Sequence, residues 1–332
     1  IRFRASFNTA VRAPSITELF LPQSEGFPGA NDPCASDFTG DESLRQLCIA
    51  TGVDPANVGS ALIDPPSGQV RELAGGNPDL EAEEAETLTV GFVASPNLLE
   101  GFTFSVDYFD IEVEDVISAF GGGANNVIST CYSDDELGGL GSPFCNAITR
   151  GVGGQITQVA VTTQNVALLT LEGVDVQAEY TLDSDYGLFS LSYLGTFTED
   201  NTLVPFEGGD PLECAGRFGL DCGEPVPEYK HRATLRWADG PFSAQLLWRY
   251  VGEVEDDNDD TVFFVETIDG QHYFDVGGSY DVNDNLTLTA GIDNLLDEDP
   301  PILGDNQEQA NTYPATYDVF GRTFFVRATA RF

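Results

Sequence analysis

The sequence predicts an all-β fold, an antiparallel transmembrane β-barrel with long loops at one end and short turns at the other. Three observations predict it. Apolar and polar residues alternate through ten segments. These segments are closer in length to the roughly 9–11 residues of a membrane strand than to the roughly 5–6 of an ordinary one. The links between them alternate strictly between short and long. A soluble β-sandwich or solenoid is the alternative, and strand lengths argue against the sandwich.

Each strand is predicted from a two-residue period, which gives one apolar face and one polar face. The segment from Phe242 to Tyr250, for example, places an apolar or aromatic residue at every second position. The ten predicted strands, in chain order, cover residues 1–9, 85–95, 101–113, 168–182, 187–198, 228–238, 241–254, 271–281, 285–295 and 319–332.

The links between the predicted strands fall into two classes. The short links cover residues 96–100, 183–186, 239–240 and 282–284. The long links cover residues 10–84, 114–167, 199–227, 255–270 and 296–318. Because the two classes alternate, all short links lie at one end of the sheet and all long links at the other, which is the layout of an outer-membrane barrel.

The positions of arginines predict which face of the sheet meets lipid. An arginine on the lipid face near the bilayer midplane costs about 2–4 kcal/mol. Arginines on the polar faces of the predicted strands therefore indicate that these faces line the lumen: Arg232, Arg236, Arg249, Arg327 and Arg331. Trp237 and Phe242 flank one short link, and Trp248 and Tyr250 lie toward the opposite rim, as aromatic girdles would.

Composition excludes some functions. The chain has 14 Lys+Arg and 55 Asp+Glu, so its net charge is 14 − 55 = −41. A general nucleic-acid binder needs a basic surface, so we expect no nucleic-acid partner. The chain contains no Met, so Ile1 is not a natural start. We expect that a leader was removed or that the sequence begins partway along a longer protein.

The six cysteines group as neighbours in the chain: Cys34 with Cys48, Cys131 with Cys145, and Cys214 with Cys222. Each pair lies in a link rich in Gly, Pro or Asp, which is typical of disulfides formed in an oxidising compartment. Zinc is the rival interpretation, but no C-x₂₋₄-C spacing occurs and the chain has two histidines. Free thiols are the other alternative. We expect three local disulfides.

Four segments resemble those of TonB-dependent receptors, the gated transporters of the Gram-negative outer membrane. The first segment is Val11-Arg12-Ala13-Pro14-Ser15, in which Val11 stands where the family has Phe. The second runs from Gly76 to Glu83, and in it Ala82 stands where the family has Pro. The residues that match the family's segments are Arg12, Ala13 and Pro14; Asn77, Pro78 and Leu80; Asn294 and Leu295; and Gly321 and Arg322. Each match is weak alone, but their order along the strand pattern is specific.

The resemblance implies a 22-stranded barrel with a plugged lumen. Residues 1–332 then form the C-terminal part of one barrel domain, about ten strands, and the plug and the N-terminal strands are absent. The expected function is uptake of a scarce nutrient across the bacterial outer membrane. The family's ligands include ferric siderophores, haem, cobalamin and glycans, bound by extracellular loops and lumen wall.

The resemblance also implies partners. The inner-membrane TonB complex acts through the missing plug, and the barrel-assembly machinery reads a C-terminal aromatic residue similar to Phe332. Lipopolysaccharide and phospholipid surround the barrel. We expect no cofactor.

Five aromatic residues in the long links are candidates to stack on a sugar or a siderophore catechol: Phe120, Tyr132, Phe263, Phe264 and Tyr313. The alternative, which we favour for any single residue, is that they pack the loops on one another. Carboxylates in the link after residue 254 are weak candidates for Ca²⁺ ligands: Asp256, Asp257, Asp259 and Asp260. Their spacing is not that of an EF-hand, and a solvated acidic loop is the favoured alternative.

No catalytic constellation is present, and we expect no enzyme. His231 and His272 are expected to be hydrogen-bonded residues at the rim. Two alternatives to transport stay open at this point. One is a self-contained ten-stranded outer-membrane protease of the omptin kind, which needs an Asp–His pair above the bilayer. The other is a passive adhesin barrel.

Overall fold

The computed structural model describes residues 1–36, 38–133, 138–206, 208–219, 221–258 and 262–331. Its main feature is one large antiparallel sheet in which ten long strands follow one another in chain order. These strands are β1 (Arg2–Arg12), β2 (Glu83–Ala94), β3 (Phe102–Ala119), β4 (Thr163–Ser184), β5 (Gly187–Val204), β6 (Tyr229–Asp239), β7 (Phe242–Val251), β8 (Gln271–Asn283), β9 (Leu286–Asp293) and β10 (Thr323–Ala330). The ten predicted strands are thus confirmed.

Register fixes the two faces of the sheet, because residues paired across neighbouring strands point to the same side. His231 pairs with Tyr250, and Tyr250 pairs with His272, so these three rings share the apolar face. Arg232 pairs with Arg249 on the opposite, polar face. The faces predicted from the two-residue period are therefore those of the structure.

Three strands are longer than the sequence predicts. β3 and β5 have 18 residues each and β4 has 22. At about 3.3 Å per residue, 22 residues span roughly 70 Å, far more than a membrane strand requires. The predicted boundaries lie where the clean apolar alternation stops: β3 was predicted to end at residue 113, β4 to begin at residue 168 and β5 to end at residue 198. The ladder continues beyond these points because backbone pairing does not depend on an apolar face.

The sheet is open. β1 and β10 each pair on one side, and the described residues of the two strands do not pair with each other. All residues of β1 and β10 are exposed. Ten strands therefore do not close into a barrel in this structure.

The long links at one end of the sheet fold into two compact units. The first, which we call the first loop domain, combines the links that follow β1 and β3. It contains the helices α1 (Ile16–Phe20), α2 (Glu42–Ala50), α3 (Ala124–Cys131) and α4 (Pro143–Ala147), and the 3₁₀ turns Ala61–Ile63, Pro66–Gly68 and Phe120–Gly122. It also contains a small sheet of four short strands, Ser24–Gly26, Glu72–Ala74, Ile148–Arg150 and Ile156–Ala160.

A buried apolar core holds the first loop domain together. Val70, Val127 and Val159 are at most 2% exposed and belong to one contiguous cluster, to which both links contribute together with Phe206 from the link after β5. The helix α2 and the hairpin formed by Ile148–Arg150 and Ile156–Ala160 both belong to this domain.

The second loop domain combines the links that follow β5, β7 and β9. Its short strands are Arg217–Gly219, Gly223–Val226, Val254–Asp256 and Thr267–Ile268, while the strand Leu212–Glu213 pairs with β5. Its separate core is formed by Phe218, Val254, Ile268, Leu303, Tyr313 and Tyr317. No helix in the described part of the chain is long and apolar enough to cross a membrane.

Candidate functional site

The end of the sheet that carries the two loop domains is the candidate site, and the family-like segments meet there. Arg12 at the end of β1 donates from Nε and Nη2 to the two oxygens of Glu83 at the start of β2, at 2.5 and 2.6 Å. It also donates to Glu18, 3.1 Å away. Glu18 closes a capping box with Ser15 at the start of α1, and its carbonyl accepts from the backbone N–H of Asn77. These hydrogen bonds and ion pairs therefore hold the first and second family-like segments together at the rim of the sheet.

Hydrogen bonds also hold the third and fourth family-like segments together. Asn294 adopts φ 51°, a left-handed conformation that Asn tolerates better than most residues. Its side chain donates to the carbonyl of Glu298 and accepts from the amide of Glu298, both at 2.8 Å. Arg322 donates its amide to Asp297 Oδ1 at 2.7 Å and its Nε to the carbonyl of Leu295 at 2.9 Å. The two ends of the last long link are thereby held together.

The six cysteines form the three predicted disulfides. Cys34 bonds Cys48, Cys131 bonds Cys145, and Cys214 bonds Cys222. The first two brace the first loop domain, and the third braces the entry to the second. Each closes a short segment of one link.

A buried ion pair joins the two links of the first loop domain. Arg150 donates from Nη1 and Nη2 to the two oxygens of Asp32 at 2.6 and 2.8 Å, and the side chains are 2% and 0% exposed. Burial opposes the charged form of Arg150, but Asp32 raises the pKa of its guanidinium overall. The hydroxyl of Tyr132 accepts from Arg150 at 2.8 Å and lies 2.7 Å from the hydroxyl of Thr51. Sequence reasoning missed this pair, because its members lie 118 positions apart.

The five candidate aromatic residues differ in how far they are exposed to solvent. Phe120, Tyr132 and Tyr313 are 7%, 6% and 3% exposed and belong to the loop cores. They pack the loops on one another, which is the alternative favoured above for any single residue. Phe263 is half-buried, and Phe264 is 82% exposed. Phe264 is thus the accessible candidate of the five.

In the acidic link after residue 254, two carboxylates accept hydrogen bonds from backbone N–H groups. Asp256 accepts from the backbone N–H of Asn258 at 2.9 Å, and Asp257 accepts from the N–H groups of Asp221 and Cys222 at 2.9 and 2.6 Å. Asp259 and Asp260 lie outside the described residues, as does Phe332. Within the described ranges, no three His, Cys, Asp or Glu side chains are arranged to hold a metal ion.

Comparison with known proteins decides the family. Residues 1–295 match the family model described as TonB dependent receptor-like, beta-barrel. The chain belongs to the TonB-dependent receptor family. No curated protein has significant similarity to it.

Solved receptors share the fold. A ferric enterobactin receptor, PfeA of Pseudomonas aeruginosa in complex with enterobactin, superposes with a TM-score of 0.60 at 20% identity, over 99% of this chain and 38% of that one. The siderophore receptor PirA of Acinetobacter baumannii superposes with a TM-score of 0.57 at 14% identity, over 99% and 39%. The chain therefore spans less than half the length of these receptors.

The family resides in the bacterial outer membrane, so the apolar face of the TonB-dependent receptor wall meets lipid. Aromatic pairs lie near both ends of this face. Phe242 and Tyr280 stack with centroids 4.9 Å apart beside a short turn, and Trp248 and Phe274 stack at 5.8 Å toward the loop domains. These pairs fit the two aromatic girdles of a membrane barrel.

The two histidines belong to this outward aromatic cluster. His231 is 9% exposed, packs edge-on against Trp248 at 4.3 Å, and its ring nitrogens have no hydrogen-bond partner among the described residues. The expectation of a hydrogen-bonded His231 is therefore wrong. His272 is hydrogen-bonded as expected, because its Nδ1 accepts from Trp248 Nε1 at 3.2 Å. Neither histidine pairs with an aspartate of the described chain, which the omptin-like alternative requires.

The lumen face carries both paired and unpaired arginines. Arg249 is held by Asp318 at 3.0 Å and by Asp275 at 3.6 Å. Arg232 and Arg236 form no ion pair with a described residue, and both border a cavity of about 430 Å³. The lumen wall therefore presents free cationic groups in a strongly acidic chain.

Proposed function

We propose that residues 1–332 form the C-terminal wall and loops of an outer-membrane receptor that takes up a scarce nutrient. The observation that carries this proposal is the open ten-stranded sheet with two loop domains at one end. Both outer edges of the sheet are unpaired. In a bilayer every backbone group must be paired, so further strands must complete the wall. Family membership indicates that a longer receptor supplies these strands.

The ligand would be bound from outside, by the loop domains and the lumen wall. Phe264 offers an exposed ring, and Arg232 and Arg236 offer unpaired charge in the lumen. Ferric siderophores, haem, cobalamin and glycans are the classes to test. Enterobactin bound to PfeA places ferric siderophores first in the screen.

Transport would require no chemistry on the ligand. The work would come from the inner-membrane TonB complex, acting on a plug that residues 1–332 do not contain. The enzyme alternative requires a closed ten-stranded barrel and an Asp–His pair, and the described residues supply neither.

The first experiment measures the mature protein in outer membranes, by intact mass and N-terminal sequencing. We expect a mass well above the 35.7 kDa of this chain, with a plug-like sequence upstream of Ile1. A mature protein of this chain's own mass would show that ten strands function alone and would overturn the proposal.

The second experiment measures uptake by the full-length receptor in cells that lack their own receptors for the tested ligands. Radiolabelled ferric siderophores, haem, cobalamin and oligosaccharides are supplied singly, and a strain without functional TonB is the control. We expect accumulation of one class that is lost without TonB. Accumulation that is equal in both strains would exclude energy-coupled transport.

A further inference from the structure

The lumen face of the wall has a groove that runs across five strands. Cross-strand register places one row of residues on this face: Arg236 on β6, Gln245 on β7, Gly277 on β8, Gly291 on β9 and Phe325 on β10. A cavity of about 500 Å³ lies over the row, and Arg236, Gly277 and Phe325 are among the residues that line it. We call this row and the cavity above it the glycine groove.

The two glycines of the groove have different causes. A Cβ atom at Gly291 would lie 2.5 Å from the ring of Phe325, so that ring occupies the space of a side chain. A Cβ atom at Gly277 would meet nothing closer than the carbonyl oxygen of Ala290 at 3.7 Å, and Gly277 does not have a positive φ. Neither conformation nor packing within the described chain therefore requires Gly277. A glycine inside a strand often marks the close approach of a ligand or another backbone.

Phe325 forms the aromatic side of the glycine groove. It pairs with Gly291 on the lumen face, whereas its neighbours Phe324 and Val326 lie on the lipid face. An aromatic ring on the lumen face gains nothing from lipid. Phe325 is 38% exposed, so part of its ring is accessible from the lumen.

Arg236 forms the charged side of the glycine groove. It is exposed and forms no ion pair with a described residue. None of the described residues that line the cavity is an Asp or Glu, although the chain has 55 of them. The other polar lining side chains are neutral: Ser190, Ser243, Gln245, Ser279 and Thr289. The cavity therefore presents one unpaired cation, neutral hydrogen-bonding groups and an aromatic ring.

We propose that the glycine groove binds a planar aromatic anion, such as a catecholate or an aromatic carboxylate, that the ligand carries through the lumen. Its oxygens accept hydrogen bonds from Arg236, because a guanidinium binds paired anionic oxygens in a bidentate manner. Its ring lies over Gly277 against Phe325, in the offset arrangement that aromatic pairs prefer. Neighbouring strands are about 4.8 Å apart, so Arg236 and Gly277 are about 10 Å apart across one strand, a distance that an extended guanidinium and one ring can bridge.

This inference rests on the proposed uptake and narrows its ligands to those that carry a planar anionic group. Cobalamin and uncharged glycans carry none. The groove lies on the wall below the loop domains, so it is a second binding site, reached after the ligand has passed the loops.

The test places a thiol in the groove of the full-length receptor, in outer-membrane fragments at pH 7. The reporter is Ser243→Cys, because Ser243 lines the cavity and all six native cysteines of the chain are in disulfides. Its rate of modification is measured with an anionic and with a cationic methanethiosulfonate, and the receptor without the substitution gives the background. Salicylate is the probe anion, and the neutral salicylamide is the matched control.

We expect the anionic reagent to react faster than the cationic one, relative to their rates with a free thiol. Salicylate should slow the modification with a half-maximal concentration of about 1 mM, and salicylamide should need about tenfold more. Arg236→Gln should raise the value for salicylate about tenfold, because it removes the charge-assisted hydrogen bonds. Gly277→Leu should abolish protection, because the added side chain fills the space of the probe. The matched control is Arg232→Gln, which removes the same charge from the same face of the same strand and should change the value less than about twofold, since charge that is farther away is screened.

Three results would overturn the inference. The first is a Ser243→Cys thiol that neither reagent modifies, which would show that the plug occupies the groove. The second is equal protection by salicylate and salicylamide, and the third is unchanged protection in Arg236→Gln and Gly277→Leu. Folding of each variant is checked by the change of its electrophoretic mobility on heating. TonB-dependent uptake without salicylate protection would refute this inference alone, whereas protection without uptake would refute the proposed transport alone.

Discussion

Asp32→Ala should open the first loop domain. The Asp32 carboxylate receives two hydrogen bonds from Arg150 at 2.6 and 2.8 Å, and both side chains are almost fully buried. Removing one partner of a buried pair leaves the other charge uncompensated and costs about 3–5 kcal/mol. Oδ1 of Asp32 also accepts from the amide of Cys34 at 3.0 Å, and that bond is lost too.

The cost translates into a measurable opening. About 3–5 kcal/mol corresponds to roughly a 150- to 5,000-fold rise in the population of the open domain. Native-state hydrogen exchange of the full-length receptor, read on peptides from α2, reports this population for the first loop domain. The disulfides stay intact, so exchange measures loss of packing rather than loss of the covalent constraint.

A matched control separates burial from charge. Glu25 pairs with Arg71 in the same domain, but their side chains are 48% and 42% exposed. Glu25→Ala should therefore cost at most about 1 kcal/mol, or about fivefold in exchange. The double variant Asp32→Ala/Arg150→Met should recover much of the loss, because it removes both charges. If Asp32→Ala exchanges no faster than Glu25→Ala, the reasoning from buried charge is wrong.

Three further predictions concern the rim and the second loop domain. Arg12→Ala should increase protease cleavage in the segment after β1 by about fivefold or less, because the pair with Glu83 is half-exposed. Removing the Cys214–Cys222 disulfide, of sequence separation 8, should destabilise its segment by about 2.5 kcal/mol in the chain-entropy estimate, measured by exchange of the oxidised and reduced receptor. Burial raises the pKa of Asp256, so the second loop domain should become more stable as pH falls from 7 toward that pKa, because the folded form then binds more protons than the unfolded form. A thermal midpoint that falls with pH over this range would contradict that sign.

The wall was predictable because its signal is local. A strand in a membrane wall must alternate at every second residue, so Phe242 to Tyr250 shows its faces without reference to any partner. The cysteine pairs were predictable for the same reason, since each closes a segment of at most 14 positions.

The interior of the loop domains was not predictable, because its contacts are long-range. Arg150 and Asp32 meet across 118 positions, and Asp256 and Asn306 meet across 50. Loop residues such as Tyr132 carry no periodicity that would show which face is buried. An aromatic residue in a loop therefore gives the same sequence signal whether it packs inside or contacts a ligand.

The family-like segments show a related limit. Their resemblance identified the family, but the roles of the residues emerged only from the structure. Arg12 and Asn77 meet at Glu18, and Asn294, Asp297 and Arg322 fasten the last link. These contacts hold the loop domains to the wall.

The open edges lead to a last prediction, on residues 1–332 expressed alone. Their loop domains have their own cores and disulfides, but β1 and β10 present 11 and 8 residues with one unpaired edge each. Unpaired backbone groups in hydrocarbon cost several kcal/mol each, so the isolated wall should not remain inserted. We expect the isolated chain to be extracted from outer membranes by urea, whereas the full-length receptor stays. A urea-resistant isolated chain whose electrophoretic mobility changes on heating, as for a folded barrel, would show that the two edges pair with each other or with a second copy. The need for further strands would then be refuted.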